Sequence, residues 1–114
     1  MSSPAVFRPH ERIHRREEFQ RVYDQGAKLH SRFCTLFLLP NGLESARLGI
    51  AATRKFGGAV QRNRAKRLIR EVFRRNKIVP GFDVVVIPKR LLLDISQNEF
   101  EAEFRRLLDR RTRR

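Results

Sequence analysis

Acidic residues are scarce in this 114-residue chain, where 12 Asp and Glu stand against 26 Lys and Arg. So few carboxylates leave little material for paired general acids and bases or for a two-metal centre. Cysteine is nearly missing. The single Cys34 excludes a disulfide within the chain, and its place in the apolar run from Phe33 to Leu39 marks it as a small buried hydrophobe rather than a reactive thiol. No Cys and His spacing suggests zinc. The three histidines, His10, His14 and His30, are scattered through the N-terminal third and read as solvated or loosely packed side chains, not as ligands or proton carriers. No Ser, Thr or Cys lies in a nucleophile-elbow signature, and Gly57-Gly58 is not followed by a P-loop pattern. Long apolar runs are absent as well, which argues against membrane attachment. The segment from Met1 to Pro9 has no continuous apolar stretch of signal-peptide type. A reducing cytoplasm is the expected setting. Metal-ligating and catalytic residues are expected to be none.

What the chain has in abundance is positive charge, a net +14 with a sequence pI near 11.6. That is the electrostatic footprint of a nucleic-acid binder. With 40% hydrophobic residues and nine Phe, the chain supports one packed core and is too short to divide into two. We expect a single domain over residues 1–114, with an extended segment to about residue 14, pinned by Val6, Phe7 and Ile13, and a flexible arginine-rich tail from about residue 110.

Apolar periodicity predicts a first helix from Arg16 to Gln25, carrying Phe19, Val22 and Tyr23 on one stripe and stopped by Gly26. A strand from Arg32 to Leu39 ends at the turn Pro40-Asn41-Gly42. A second strand, Ala46 to Thr53, is expected to pair with it as a hairpin. After the basic loop Arg54 to Val60, whose adjacent glycines allow unusual backbone angles, a long helix is predicted from Ala59 to Asn76. Its core face is Ala65, Leu68, Ile69, Val72 and Phe73; Asn63, Lys66, Arg67, Arg70, Arg74 and Lys77 fall on the opposite face. Glu71, at four-residue spacing from Arg67 and Arg75, reads as half of a structural ion pair. Pro80-Gly81 breaks the chain before the β-branched run Phe82 to Pro88, of the kind found in central or parallel strands. A last helix starts near Ser96, which forms a capping box with Glu99, and buries Phe100, Phe104, Leu107 and Leu108.

The start of the long helix is the most informative feature. From Arg62 to Arg70 five of nine residues are cationic, although a helix N-terminus already carries partial positive charge and favours Asp or Glu. A bound polyanion is the simplest compensation. Asn63 is placed either to cap the helix or to bond phosphate, sugar or base. Aromatics add a second element: Phe19 and Tyr23 share one side of the first helix, and Phe33 and Phe37 share one face of a strand. Such rings are either core or stacking platforms for single-stranded nucleic acid. A major-groove DNA binder would instead place its helix after a compact helix-turn-helix unit, and a self-sufficient nuclease would need the missing carboxylate cluster.

The run Arg54-Lys55-Phe56-Gly57-Gly58-Ala59-Val60-Gln61-Arg62-Asn63-Arg64-Ala65-Lys66-Arg67-Leu68-Ile69-Arg70 resembles the signature of the bacterial ribonuclease P protein component, whose hallmark is the Arg-Asn-Arg core. Glu18 to Tyr23 with Gly26, Arg32 to Leu39, Leu48-Gly49-Ile50 and Phe82 to Val86 recur in the same order and spacing, so the resemblance spans nearly the whole chain. It implies an α+β fold, a compact α–β sandwich with a small mixed sheet and element order α-β-β-(β)-α-β-α. The long helix would cross between two parallel central strands with left-handed connectivity, against the usual right-handed rule. It further implies that an RNA subunit performs the hydrolysis with magnesium, bound mainly by that RNA and the substrate. The protein would bind the catalytic RNA and hold the 5′ leader of precursor transfer RNA, one protein per RNA. The leader-binding cleft carries over to Phe19, Tyr23 and Phe37, and RNA binding to Lys55, Arg62, Asn63, Arg64, Lys66, Arg67, Arg70 and Arg74. Arg62, Asn63, Arg67 and Arg70 are expected along the cleft's helical side. Phe37 stands where some relatives have Tyr, leaving stacking alone, and Ala65 replaces a bulkier aliphatic.

Overall fold

The computed structural model describes residues 11–76 and 81–112. Val6, Phe7, His10, Lys77, Pro80 and the last two arginines lie outside that range. Three helices and four strands form an α+β sandwich. In chain order they are α1 (Arg16–Gln25), β1 (Ala27–His30), β2 (Cys34–Pro40), β3 (Arg47–Ile50), α2 (Ala59–Arg75), β4 (Phe82–Pro88) and α3 (Gln97–Thr112), with a 3-10 turn at Arg90–Asp94.

The sheet order is β1-β2-β4-β3. β1 and β4 both run antiparallel to β2, and β3 runs parallel to β4. The expected hairpin between β2 and β3 therefore does not form; β4 lies between them. β4 can occupy that place because Val84, Val85 and Val86 are all fully buried, one side chain after another against both sheet faces. The loop after β2 carries the chain across the start of β4 instead of folding back. Asn41 N–H donates to Gly81 O at 2.7 Å and its side-chain amide donates to Asp83 Oδ1 at 2.9 Å. Gly42 and Gly81 supply the positive φ angles of +72° and +80° that this crossing needs. The real hairpin joins β1 to β2, and β1 was not foreseen. β3 is an edge strand rather than a central one, with Arg12 bridging to Leu48 on its outer side.

The sheet separates two apolar clusters. Leu36, Leu38, Leu48, Val84 and Val86 pack with α2 and α3, including Phe73, Phe100 and Phe104. Phe37, Val85, Val22 and Ile13 pack beneath α1 with Phe19 and Tyr23. Phe33 belongs to the first cluster and Phe37 to the second. The expectation that they share a face fails because the strand starts only at Cys34, so the two-residue alternation does not extend back to Phe33.

The helix boundaries follow the predicted ones closely. Glu18 reaches back to the Arg15 N–H at 3.4 Å. Ser96 and Glu99 exchange hydrogen bonds at 3.1 and 3.3 Å, the expected capping box. α3 runs on through Thr112, into the stretch expected to be a free tail. Gly26 ends α1 for a reason other than a left-handed cap. Its φ is −80°, and a Cβ there would stand 2.5 Å from Val22 O and 3.0 Å from Leu38 O. Gly57 and Gly58 also lack positive φ; Gly58 is the extended residue before α2.

α1 is tied down electrostatically. Asp83 on β4 is fully buried and accepts two hydrogen bonds from Arg47, Nε at 2.8 Å and Nη2 at 2.7 Å. Arg47 Nη1 continues to Glu18 on α1 at 3.0 Å, and Arg21 approaches Asp83 at 3.8 Å. Burial alone pushes the Asp83 carboxyl up, but the hydrogen bonds from Arg47 and Asn41 and the nearby guanidinium charges hold it below its ordinary value. A depressed folded-state pKa adds stability above the unfolded pKa, and that stability fades as pH falls through the lowered one. The Asp83→Asn variant should be markedly less stable than the parent at pH 6. The difference should shrink on acidification below about pH 4. Urea denaturation across that range checks this; a constant difference would mean that Asp83 is not held ionised.

Candidate nucleic-acid interface

The strand registers set a row of residues across the α1 side of the sheet: Lys28 opposite Phe37, Phe37 opposite Val85, and Val85 opposite Gly49. Gly49 is required by what lies above it, since a Cβ there would come within 2.8 Å of the Phe19 ring and 3.1 Å of Ile13. Tyr23 stands edge-on to Phe37 with centroids 5.1 Å apart and lies 6.3 Å from Phe19. Lys28 Nζ is 5.7 Å from the centre of the Phe37 ring, a cation–π contact. Phe37 is buried while Phe19 and Tyr23 are half-buried, so the cluster is both core and wall. Burial raises the Tyr23 phenol pKa, and the hydroxyl stays protonated as a donor.

The next row, His30, Thr35 and Ile87, carries the floor toward the end of the sheet where β1, β3 and β4 finish and β2 begins. Exposed Arg32 just before β2, Arg54 and Lys55 after β3, and Lys89 and Arg90 after β4 all lie in the segments at that end. Lys89 donates to Ser31 O and Arg90 to Phe56 O, fastening the neighbouring loops. Arg54 and Lys55 have no acidic partner among the described residues. Lys28 was missed by sequence reasoning. In four residues, Ala27–His30, the alternation of polar Lys28 and His30 with apolar Ala27 and Leu29 is too short to stand out as a strand.

α2 begins as anticipated, with no acid in its first turn and no side-chain cap. Asn63 is exposed and caps nothing, so its amide is open to a ligand. Arg62 folds back, donating to Gly57 O at 2.8 Å, and so braces the preceding loop. Arg67 is exposed on the crest between two flanks. On one flank Lys66 and Arg70 join Arg12, Ile13 and His14 around a small hollow of about 130 Å³ against β3. Burial, then the nearby Arg12 charge, lowers the Arg70 pKa. On the other flank Arg64 and Arg67 face the 3-10 turn. Glu71 pairs with Arg74, three residues on, rather than with Arg67 or Arg75; Arg75 is drawn to Glu101 on α3. Arg74 is thus partly engaged within the protein.

The predicted site residues therefore do not form one surface. The rings lie on the α1 face of the sheet, and the apolar side of α2 packs on the other face. No contact joins Arg62, Asn63 or Arg67 to the ring cluster. The two regions approach each other around the edge of β3, where Ile13 N–H donates to Leu48 O at 2.8 Å and Ile13 belongs to both the ring cluster and the Arg70 hollow. Cys34 is fully buried, and burial, reinforced by the Glu103 charge, pushes its pKa up to about 12. It is a packing residue. Among the described residues no three His, Cys, Asp or Glu groups converge as a metal ion requires, and no helix is long and apolar enough to cross a membrane.

An aromatic cleft on one sheet face and a cationic helix on the other define a small, strongly basic α+β sandwich. A family model described as Ribonuclease P matches residues 7–112. The ribonuclease P protein component of Thermotoga petrophila is 41% identical over 106 residues, covering 90% of this chain and 91% of that protein. That of Thermotoga maritima is 43% identical over 97 residues, covering 83% and 80%. Among solved structures, the RNase P protein from Thermotoga maritima superposes with a TM-score of 0.79 at 39% identity, covering 88% of this chain and 96% of that one. The Staphylococcus aureus RNase P protein gives 0.77 at 31%, covering 87% and 93%. The chain belongs to the ribonuclease P protein family.

The seat of Phe19 gives a test of the cleft geometry. Gly49→Ala should destabilise the protein by about 1–3 kcal/mol, the usual cost of overpacking. In a Phe19→Ala background the same change should cost less, because the ring clash is gone and only the closer approach to Ile13 remains. Denaturant melts of the four proteins measure the coupling, and equal costs in both backgrounds would contradict the packing described.

Proposed function

We propose that this chain is the protein subunit of a ribonuclease P holoenzyme, working in the cytoplasm with one copy per catalytic RNA. It binds that RNA and the single-stranded 5′ leader of precursor transfer RNA. The RNA hydrolyses the bond that releases the mature 5′ end. The observation that carries this reading is the pairing of a partly open ring cluster, Phe19, Tyr23 and Phe37, with cations on α2 and the 54–57 loop, several of which have no acidic partner among the described residues.

Each group has a physical task. Leader bases stack on the rings, at about 1–3 kcal/mol per base and with little dependence on sequence. Lys28 and Lys55 follow the leader's phosphates, and Asn63, Arg67 and Arg70 carry the cationic track around β3. Lys66 extends it on the β3 flank, Arg64 faces the catalytic RNA on the other, and Arg62 keeps the loop before α2 in place. Neutralising phosphates where two RNAs meet lowers their mutual repulsion and steepens the salt dependence of binding. That neutralisation also eases the association of magnesium, whose chemistry is activation of the attacking water and stabilisation of the leaving oxygen. Its ligands are assigned mainly to the RNA and substrate, whose phosphates suit a hard cation.

Incubating the protein with precursor transfer RNA and magnesium should give no cleavage, and adding a ribonuclease P RNA should give cleavage that the protein stimulates at low magnesium. Cleavage by protein alone, or no stimulation, refutes the assignment. Charge reversal, Arg67→Glu or Arg70→Glu, should weaken binding of leader-bearing precursor by more than about 1 kcal/mol, the scale of one charge-assisted hydrogen bond. Filter binding measures this; normal affinity in a folded variant removes that residue from the interface.

A further inference from the structure

α2 and the 3-10 turn line an open pocket of about 440 Å³ that takes no part in the cleft. Its volume falls within the range of about 300–1,000 Å³ typical of ligand sites. The walls include Leu68, Leu93 and Ile95, each only partly buried. Arg64 and Arg67 stand exposed at the rim without an acidic partner among the described residues, and Glu71 and Gln97 supply hydrogen-bonding groups. Val60, 73% exposed, lies one turn before Arg64 and only about 40° from it around the helix. The cavity occupies the flank of α2 away from Lys66 and Arg70, and the sheet face away from Phe19, Tyr23 and Phe37.

An apolar wall beneath two unpaired guanidiniums narrows the occupant. A phosphate alone would gain nothing from Leu68, Leu93 or Ile95. An apolar peptide would gain nothing from the arginines, and a chain of net +14 favours a polyanion over most protein surfaces. An unpaired nucleotide satisfies both halves: the base has two apolar faces, and its phosphates suit arginine, whose planar head also stacks on bases. Arg74 holds Glu71 on the helix surface, which leaves its second carboxylate oxygen to accept from a base amino group.

We propose that this cavity receives an unpaired nucleobase of the catalytic RNA, with Leu68, Leu93 and Ile95 against its faces, Arg64 and Arg67 on its phosphates, and Glu71 reading an amino-bearing edge. The proposal rests on the function assigned above and divides α2 between two ligands, with Arg67 on the crest between them reaching both. The flank facing β3 serves the leader, and the flank facing the 3-10 turn serves the catalytic RNA.

Because Cys34 is buried, Gln97→Cys introduces a uniquely accessible thiol for a benzophenone crosslinker. In the assembled holoenzyme with bound precursor, that probe should crosslink to an unpaired nucleotide of the catalytic RNA, while a probe at Lys55→Cys should crosslink to the leader. Leu93→Glu should weaken binding of the RNA by about tenfold or more. The ratio of holoenzyme affinities for precursor and mature transfer RNA should remain that of the parent. Crosslinks from position 97 that fall only on paired helices, on the leader or on a second copy of the protein overturn the proposal, as does a folded Leu93→Glu protein within about twofold of parental affinity. Should Leu93→Glu not fold, the crosslink map decides alone. A parent protein that fails to stimulate the RNA would strike the functional reading itself; a stimulating parent with insensitive variants would strike the cavity only.

Discussion

The Asp83 carboxylate is the point on which the arrangement of the cleft depends. It lies at the start of β4, where it receives a two-pronged guanidinium from β3, an amide from the loop after β2 and a longer-range charge from α1. Arg47 passes the connection on to Glu18. Burying a carboxylate is costly unless its oxygens are fully engaged, and these are. The linkage matters because α1 is short and has Val22 as its fully buried side chain, too little apolar area to fix both its position and its rotation. Glu18 and Arg21, anchored on the Arg47–Asp83 pair, bracket Phe19 and precede Tyr23. The electrostatic tie thereby decides where the rings sit over Gly49 and Phe37.

Scarcity of acid and richness in base are two aspects of one distribution. Asp83, Glu18, Glu71, Glu101 and Glu103 are all engaged in ion pairs, so much of the negative charge is consumed in holding elements together. What faces outward along the α2 crest and at the open end of the sheet is left nearly single-signed. Such a surface repels itself, and α2 adds to the repulsion by starting on Gly58 with no acid in its first turn. Local helix stability is sacrificed there.

Much of this was legible in the chain, and the failures share a cause. α1, α2 and β4 follow from apolar periodicity, and the start of α3 from the Ser96–Glu99 pair, all signals contained within a few residues. The order of strands was not legible, because Pro40-Asn41-Gly42 has the chemistry of a hairpin turn, while its outcome is set by Gly81 and Asp83 some forty residues away. β1 and the 3-10 turn are too short to show a period. The candidate rings and cations could be named from the chain, but where the fold sets them relative to one another could not. Helical angles identify Lys66, Arg67 and Arg70 as one exposed face, and only the packing of β3 and the 3-10 turn divides that face into two flanks. Gly49 illustrates the same limit: its glycine is explained by an aromatic ring on another element, not by its own backbone.

The sheet that separates the two flanks also connects them. Ile13 packs with Phe19 over Gly49 and at the same time lines the hollow containing Lys66 and Arg70, and its N–H holds the 11–14 segment to β3. Because packed side chains transmit displacement rather than absorb it, the ring cluster and the cationic helix are mechanically continuous through one isoleucine, even though no ring touches a cation of α2.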